Sequence, residues 1–240
     1  MFLSRLRAYL LIDPLIILAT LILGTLSLAA SLFDRSGRTQ HAVARAWGRI
    51  LLAVSGVRVG VEGLENLAAD SNYVLVANHR SYMDIPVLLA YVPLQIRFFA
   101  KKGLFRIPLL GGHLRRAGHL AVARDNPRAS LKSLTEAARL VRERGLSVVL
   151  FPEGGRAPGA LRPFKEGATY LAIKAGIPAV PVGLIGTRQV LPMQSFHVRP
   201  HAVTLRIGEP ISTKGMRLDE RGMLNDTLRS KVAELIGEPE

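Results

Sequence analysis

One seven-residue stretch, Asn78-His79-Arg80-Ser81-Tyr82-Met83-Asp84, places a base and a carboxylic acid five positions apart. On a regular helix, residues five apart point roughly 140° away from each other, so His79 and Asp84 cannot share a helical face. The flanks explain how they could still meet. Tyr73-Val74-Leu75-Val76-Ala77 reads as a short buried strand, and Ile85 to Val92 is apolar enough for a packed helix that tolerates Pro86 in its first turn. His79 then lies in a strand-to-helix turn and Asp84 in the first helical turn. The carboxylate is within reach of one imidazole nitrogen while the other nitrogen faces a substrate, which is the arrangement of a general base and its orienting acid. A plainer alternative makes Ser81 or Asp84 an N-cap and His79 a turn histidine.

Two further stretches carry anion chemistry. Phe151-Pro152-Glu153-Gly154-Gly155-Arg156 follows the strand Ser147-Val148-Val149-Leu150. Its glycines let backbone amides approach an anion, Arg156 adds a fixed charge, and Glu153 can accept a proton or a hydrogen bond. Lys101-Lys102-Gly103-Leu104-Phe105-Arg106-Ile107-Pro108-Leu109-Leu110-Gly111 follows another strand and leads toward Arg124. Lysine and arginine beside glycine can hold a phosphate, arginine by two parallel hydrogen bonds.

The pattern N-H-x-S-x-x-D resembles the first block of the glycerolipid acyltransferase family, which includes bacterial 1-acylglycerol-3-phosphate acyltransferases. Lys101 to Gly111 is similar to the second block, Phe151 to Arg156 to the third, and the apolar run Ile177-Pro178-Ala179-Val180-Pro181-Val182-Gly183-Leu184 to the fourth. The blocks occur in the family's order across roughly residues 60–210. The third block is usually F-P-E-G-T-R-S; here Gly155 and Ala157 replace its two hydroxyl residues. The resemblance implies His79 and Asp84 as the catalytic pair, with Lys101, Arg124, Glu153, Gly154, Gly155 and Arg156 binding substrate. It also implies a lysophospholipid acceptor, acyl-CoA or acyl-carrier protein as acyl donor, no resident cofactor, and the inner face of a cell membrane as location. Another lysolipid acceptor, such as a lyso-ornithine lipid, or a basic lipid-binding protein without catalysis, are the competing readings.

The elements that must position these residues follow from composition and periodicity. With 240 residues, 49% of them hydrophobic, the chain suits one domain with a membrane-associated appendage. Pro14 to Phe33 is a run of twenty uncharged residues, as a helix about 30 Å long, the thickness of a bilayer's hydrocarbon. Val43, Ala46, Trp47, Ile50 and Val54 recur at helical spacing opposite Arg45 and Arg49, predicting an amphipathic helix over His41 to Val57 that either lies in the interface or packs on the body. Residues 1–56 are thus expected to form a two-helix membrane anchor and 57–240 an α/β domain with a mostly parallel sheet flanked by helices. Strands are expected near 57–62, 73–77, 96–100, 118–123, 147–151, 178–185 and 202–207, and helices near 85–91, 104–116, 128–144, 164–175 and 219–236.

Several classes are excluded. With no cysteine there are no disulfides, thiolate zinc sites or cysteine nucleophiles. G-x-S-x-G, G-x-x-x-x-G-K-[ST], G-x-G-x-x-G and H-E-x-x-H are absent. His41, His113, His119, His197 and His201 lack metal-ligand spacing, so no metal is expected. The net charge of +14 calls for an anionic partner; with scattered aromatics and no recognition module, an anionic membrane and a phosphorylated substrate fit better than nucleic acid.

Overall fold

A computed structural model describes residues 2–122, 127–156 and 159–238. The chain begins with α1 (Phe2–Arg7), which passes through a π-turn (Ala8–Ile12) into α2 (Asp13–Ala30). Ser4–Ala30 is a single helix of 27 residues, long and apolar enough to cross a membrane, and 11% of its most apolar window is buried. Ile17, Leu18, Leu21, Ile22 and Leu26 remain more than half exposed. Such a face is stable only in apolar surroundings, and it makes the protein membrane-associated.

The second N-terminal helix, α3 (Arg38–Val54), is differently placed. Ala44, Gly48, Leu51 and Leu52 are buried, and a β-carbon on Gly48 would lie 2.8 Å from the carbonyl oxygen of Pro86. Only glycine permits that approach, and the face turned to the body is offset from the expected stripe, of which Ala46 and Ile50 stay exposed while Val43, Trp47 and Val54 are half-buried. Its neighbour across that contact is α4 (Asp84–Tyr91), the helix that starts at the candidate acid. The apolar part of the expected two-helix anchor is therefore one long helix, and α3 is its bracket.

Seven strands form one sheet in the order β1-β7-β6-β2-β5-β3-β4. These are β1 (Arg58–Glu62), β2 (Val74–Ala77), β3 (Ile96–Lys101), β4 (Leu120–Val122), β5 (Ser147–Leu150), β6 (Ala179–Ile185) and β7 (Ala202–Ile207). β6, β2, β5, β3 and β4 run parallel; β7 is antiparallel to β6, and β1 is parallel to β7. The expected mostly parallel sheet is thus present, with a reversed pair at one edge.

Strand alternation divides the core in two. Leu75 and Ala77 join Val149, Val180 and Val182 beneath Val87 and Leu88 of α4. Val74 and Val76 face the other way, toward α6 (Pro127–Arg144), α7 (Gly167–Ala175) and α9 (Arg221–Ile236). Every residue of β2 and β5 is buried, as expected of central parallel strands. On α6 the inward face runs through Leu134, Ala137, Ala138 and Val141, whereas Leu131 is 49% exposed.

The helix expected over 104–116 is broken. A 3₁₀ turn (Lys102–Arg106) precedes α5 (Leu110–Arg116), with Leu109 at φ 62° between them. Pro108 cannot donate into a continuous helix, which supplies the physical reason. A short helix, α8 (Thr187–Val190), follows β6.

Where α2, α3 and α5 meet the sheet edge, three histidines surround buried Arg97. His41 Nε2 donates to the Leu94 carbonyl at 3.0 Å, His119 Nδ1 accepts the Phe98 amide at 2.9 Å, and His113 Nδ1 lies 2.6 Å from Ser27 Oγ. Burial, and then the charge of Arg97, push His41 down to about 4 and His113 below its ordinary range; burial and then its basic neighbours push His119 well below. The folded state therefore holds these rings neutral, while the unfolded chain takes up protons near pH 6.5. Stability is full above about pH 6.5 and is lost as pH falls toward 4. The melting temperature of the wild type should drop across that window. His41→Gln, which keeps a donor for Leu94 but does not titrate, should flatten the drop; parallel curves for the two proteins would contradict the linkage.

Candidate active site

The turn after β2 is built by its own side chains. Asn78 is locked to β6 by two hydrogen bonds, Nδ2 donating to the Leu184 carbonyl at 2.9 Å and Oδ1 accepting the Leu184 amide at 2.8 Å. Ser81 Oγ donates to the Leu191 carbonyl at 2.9 Å and accepts the Met83 amide at 3.1 Å. Between these ties sits the pair read from the sequence: His79 Nδ1 and Asp84 Oδ2 are 2.7 Å apart.

Asp84 is fully buried. Its Oδ2 also accepts the backbone amides of Arg80 at 2.8 Å and Ser81 at 2.9 Å, so three donors converge on one oxygen. Oδ1 has no partner among the described residues. A carboxylate only accepts, so the contact makes His79 Nδ1 the donor and leaves Nε2 as the ring nitrogen not engaged by the acid. Asp84 is not an N-cap of α4, because its carboxylate turns back onto the Arg80 and Ser81 amides that precede the helix. The imidazole stacks on Phe151 with centroids 3.9 Å apart and rings 16° from parallel, so its plane is set from two sides.

β2 and β5 are adjacent and parallel, which puts Phe151 to Arg156 on the same rim as His79. Glu153, 5% exposed, joins the two turns: Oε1 accepts the His79 amide at 2.9 Å and Oε2 the Arg162 amide at 3.2 Å. Both oxygens are engaged with backbone, so Glu153 holds the loops together rather than facing open space. Gly154 has φ +78°, and a β-carbon there would lie 3.1 Å from Lys165 Nζ. Arg162 Nη2 donates to the Gly155 carbonyl at 2.5 Å. Arg156, Arg162 and Lys165 thus converge on this glycine turn, and among the described residues none has a carboxylate within ion-pair distance. Three uncompensated cations beside a histidine make an anion site.

A second tie lies outside the first. Arg80, 8% exposed, pairs through Nη2 with Glu238 Oε1 at 2.8 Å and donates through Nη1 to the Gly159 carbonyl. Glu238 Oε2 accepts the Leu161 amide at 2.6 Å. The residue two positions beyond α9 therefore clasps both loops.

Of the residues singled out in the sequence, His79, Asp84, Glu153, Gly154, Gly155 and Arg156 come together. Lys101 is exposed at the end of β3, beyond β5 from the His79 turn, on the same rim. Arg124 lies outside the described residues. Arg162, Lys165, Arg80 and Glu238 were missed; each is an isolated charged residue whose partner is defined only by the loops' meeting.

A family model described as Acyltransferase matches residues 58–185. The chain is 37% identical over 207 residues to the chloroplastic 1-acyl-sn-glycerol-3-phosphate acyltransferase BAT2 of Brassica napus, covering 85% of this chain and 58% of that protein. It is 29% identical to the 1-acyl-sn-glycerol-3-phosphate acyltransferase of Saccharomyces cerevisiae, over 88% of this chain and 71% of that one. The crystal structure of the 1-acyl-sn-glycerophosphate acyltransferase PlsC from Thermotoga maritima superimposes with a TM-score of 0.79 at 30% identity, covering 97% of each chain. The chain spans less than two thirds of the length of the plant relatives it matches. With the blocks in order, the dyad assembled and the family model matching more than half of its residues, this chain belongs to the acyltransferase family.

Proposed function

We propose that the protein transfers a fatty acyl group from a thioester, acyl-CoA or acylated acyl-carrier protein, to the sn-2 hydroxyl of 1-acylglycerol-3-phosphate, forming phosphatidic acid. The observation that carries this reading is a histidine oriented by a buried carboxylate, beside a basic turn without carboxylate partners among the described residues. The names of the relatives and of the structural neighbour support the acceptor. The exposed apolar helix supports presentation of the lipid at a membrane, with the basic body on the cytoplasmic side of the inner membrane.

In this mechanism the acceptor hydroxyl attacks the thioester carbonyl directly. His79 Nε2 takes the hydroxyl proton as the oxygen–carbon bond forms, and Asp84 stabilises the resulting imidazolium through Nδ1. Collapse of the tetrahedral intermediate breaks the carbon–sulfur bond, and His79 returns the proton to the leaving thiolate. The amides of Arg80 and Ser81 are committed to Asp84. Stabilisation of the oxyanion therefore falls to the backbone amides of Gly155 and Arg156. No resident cofactor is required, because the thioester supplies the activated acyl group. Arg156, Arg162 and Lys165, with Lys101 and Arg124, provide the charge for the acceptor's phosphate.

His79→Ala should lower kcat by about two to four orders of magnitude in a folded protein. Asp84→Asn should be similarly severe, because an amide in place of the carboxylate no longer selects the Nδ1–H tautomer. Measured per folded molecule, near-normal thiol release by either variant would rule out the dyad.

The phosphate assignment is tested by the ratio of kcat/KM for lysophosphatidate to that for monoacylglycerol. Each charge-assisted hydrogen bond contributes roughly 1.5–3 kcal/mol, so Arg156→Ala should lower kcat/KM for lysophosphatidate about ten- to a hundredfold and the ratio with it. An unchanged ratio would favour a different lysolipid acceptor.

Glu153→Gln separates the loop tie from a substrate contact. The amide puts an NH2 in place of one of the two accepting oxygens, so one backbone N–H loses its acceptor, at a cost of about 1–3 kcal/mol. The melting temperature and the rates with both acceptors should fall together. A selective loss with lysophosphatidate at unchanged melting temperature would return Glu153 to the substrate site.

A further inference from the structure

The catalytic turn carries one exposed aromatic residue that the mechanism leaves unused. Tyr82 is 61% exposed, yet its backbone sits between two tightly held neighbours. Ser81 is fixed to Asp84 and to Leu191, and Met83 is buried and bonded to Ser81 Oγ. The root of the tyrosine is therefore as well placed as the dyad itself. Its ring lies under Arg156, with the guanidinium carbon 3.3 Å from the ring centroid.

The stack has a chemical consequence. A guanidinium lying on an aromatic face keeps all five N–H bonds in its own plane, directed outward and free for an anion, whereas a carboxylate partner would consume two of them. Arg156 needs such a support. It leaves a turn with Gly154 in the left-handed region and Gly155 beside it, and among the described residues no carboxylate engages its N–H groups. A long side chain on such a base samples many rotamers and must be ordered to bind a phosphate bidentately.

We infer that Tyr82 is a specificity-determining positioning residue: its ring holds the Arg156 fork open toward the acceptor's phosphate at a set distance from His79. The dyad's own turn thereby measures the spacing between the reacting hydroxyl and the charged head group. This rests on the reading that Arg156 binds the acceptor's phosphate.

The test uses the full-length protein, with lysophosphatidate and monoacylglycerol as acceptors and thiol release as readout. Tyr82→Ala should raise KM for lysophosphatidate roughly three- to thirtyfold, the range for a cation over an aromatic face from exposed to desolvated sites. It should change kcat at saturation far less, and leave the pH profile of kcat in place because the dyad is untouched. Its loss with lysophosphatidate should exceed its loss with monoacylglycerol. Tyr82→Phe and Tyr82→Trp, which keep a face but not the phenol, should restore the wild-type KM. In an Arg156→Ala background, Tyr82→Ala should cost nothing more. If Arg156→Ala itself leaves the acceptor ratio unchanged, the phosphate reading has failed and this inference with it. If Arg156→Ala shifts the ratio while Tyr82→Ala leaves KM unchanged, or Tyr82→Phe is as damaging as Tyr82→Ala, or the two losses multiply in the double variant, the positioning role alone is overturned.

Discussion

A carboxylate with no solvent contact sits at the centre of this protein, and the hydrogen bond from His79 to Asp84 is what makes its burial useful. Removing an ionised carboxylate from water is expensive, and the molecule offsets that cost with three donors on one oxygen. Two of those donors are backbone amides of the turn itself, so the turn is closed around the acid's side chain. The geometry that orients the imidazole and the interactions that stabilise the turn are the same set of bonds.

From that centre the remaining loops are tied inward in two shells. Glu153 joins the His79 turn to the glycine turn through backbone amides, and the Arg80–Glu238 pair joins the same two regions from outside. Both ties use acidic residues against donors and leave Arg156, Arg162 and Lys165 without carboxylate partners among the described residues. The positive charge at the rim is thus available to a ligand because the nearby acids are otherwise occupied. The chain's overall basic balance attracts a membrane or an anion in general; this local division of labour decides where a phosphate can be held.

The membrane helix is coupled to the same centre by packing. α3 lies against α4 at the Gly48–Pro86 contact, and α4 begins with Asp84. The exposed apolar helix packs on α3 and α3 packs on the helix that begins with Asp84. That proximity fits an enzyme whose acceptor is held in a bilayer. The buried histidines around Arg97 lie at the same junction, which makes the joint between membrane helix and sheet the acid-sensitive part of the molecule.

Much of this was legible in local sequence. Five-residue spacing forced His79 into a turn, short apolar runs marked β2, β5 and β6 as strands, and twenty uncharged residues marked the membrane helix. These signals survive because each is carried by neighbours in the chain: backbone sterics, strand alternation and helix length act within a few residues. Other features had no local signal. Pro108 and Leu109 broke a helix that periodicity alone had continued, α3 turned Ala44, Gly48, Leu51 and Leu52 inward rather than the stripe its periodicity suggested, and the β7–β1 pair reversed the sheet's edge. The roles of Glu153, Tyr82, Arg162, Lys165 and Glu238 likewise appear only when β2 lies beside β5 and the C-terminal segment returns to both loops. Their partners are from 9 to 158 residues away in sequence, apart from the span between Gly155 and Arg162. At such separations an isolated charge or ring has the same local appearance whether it is solvated or partnered, and the register of the sheet decides which it will be.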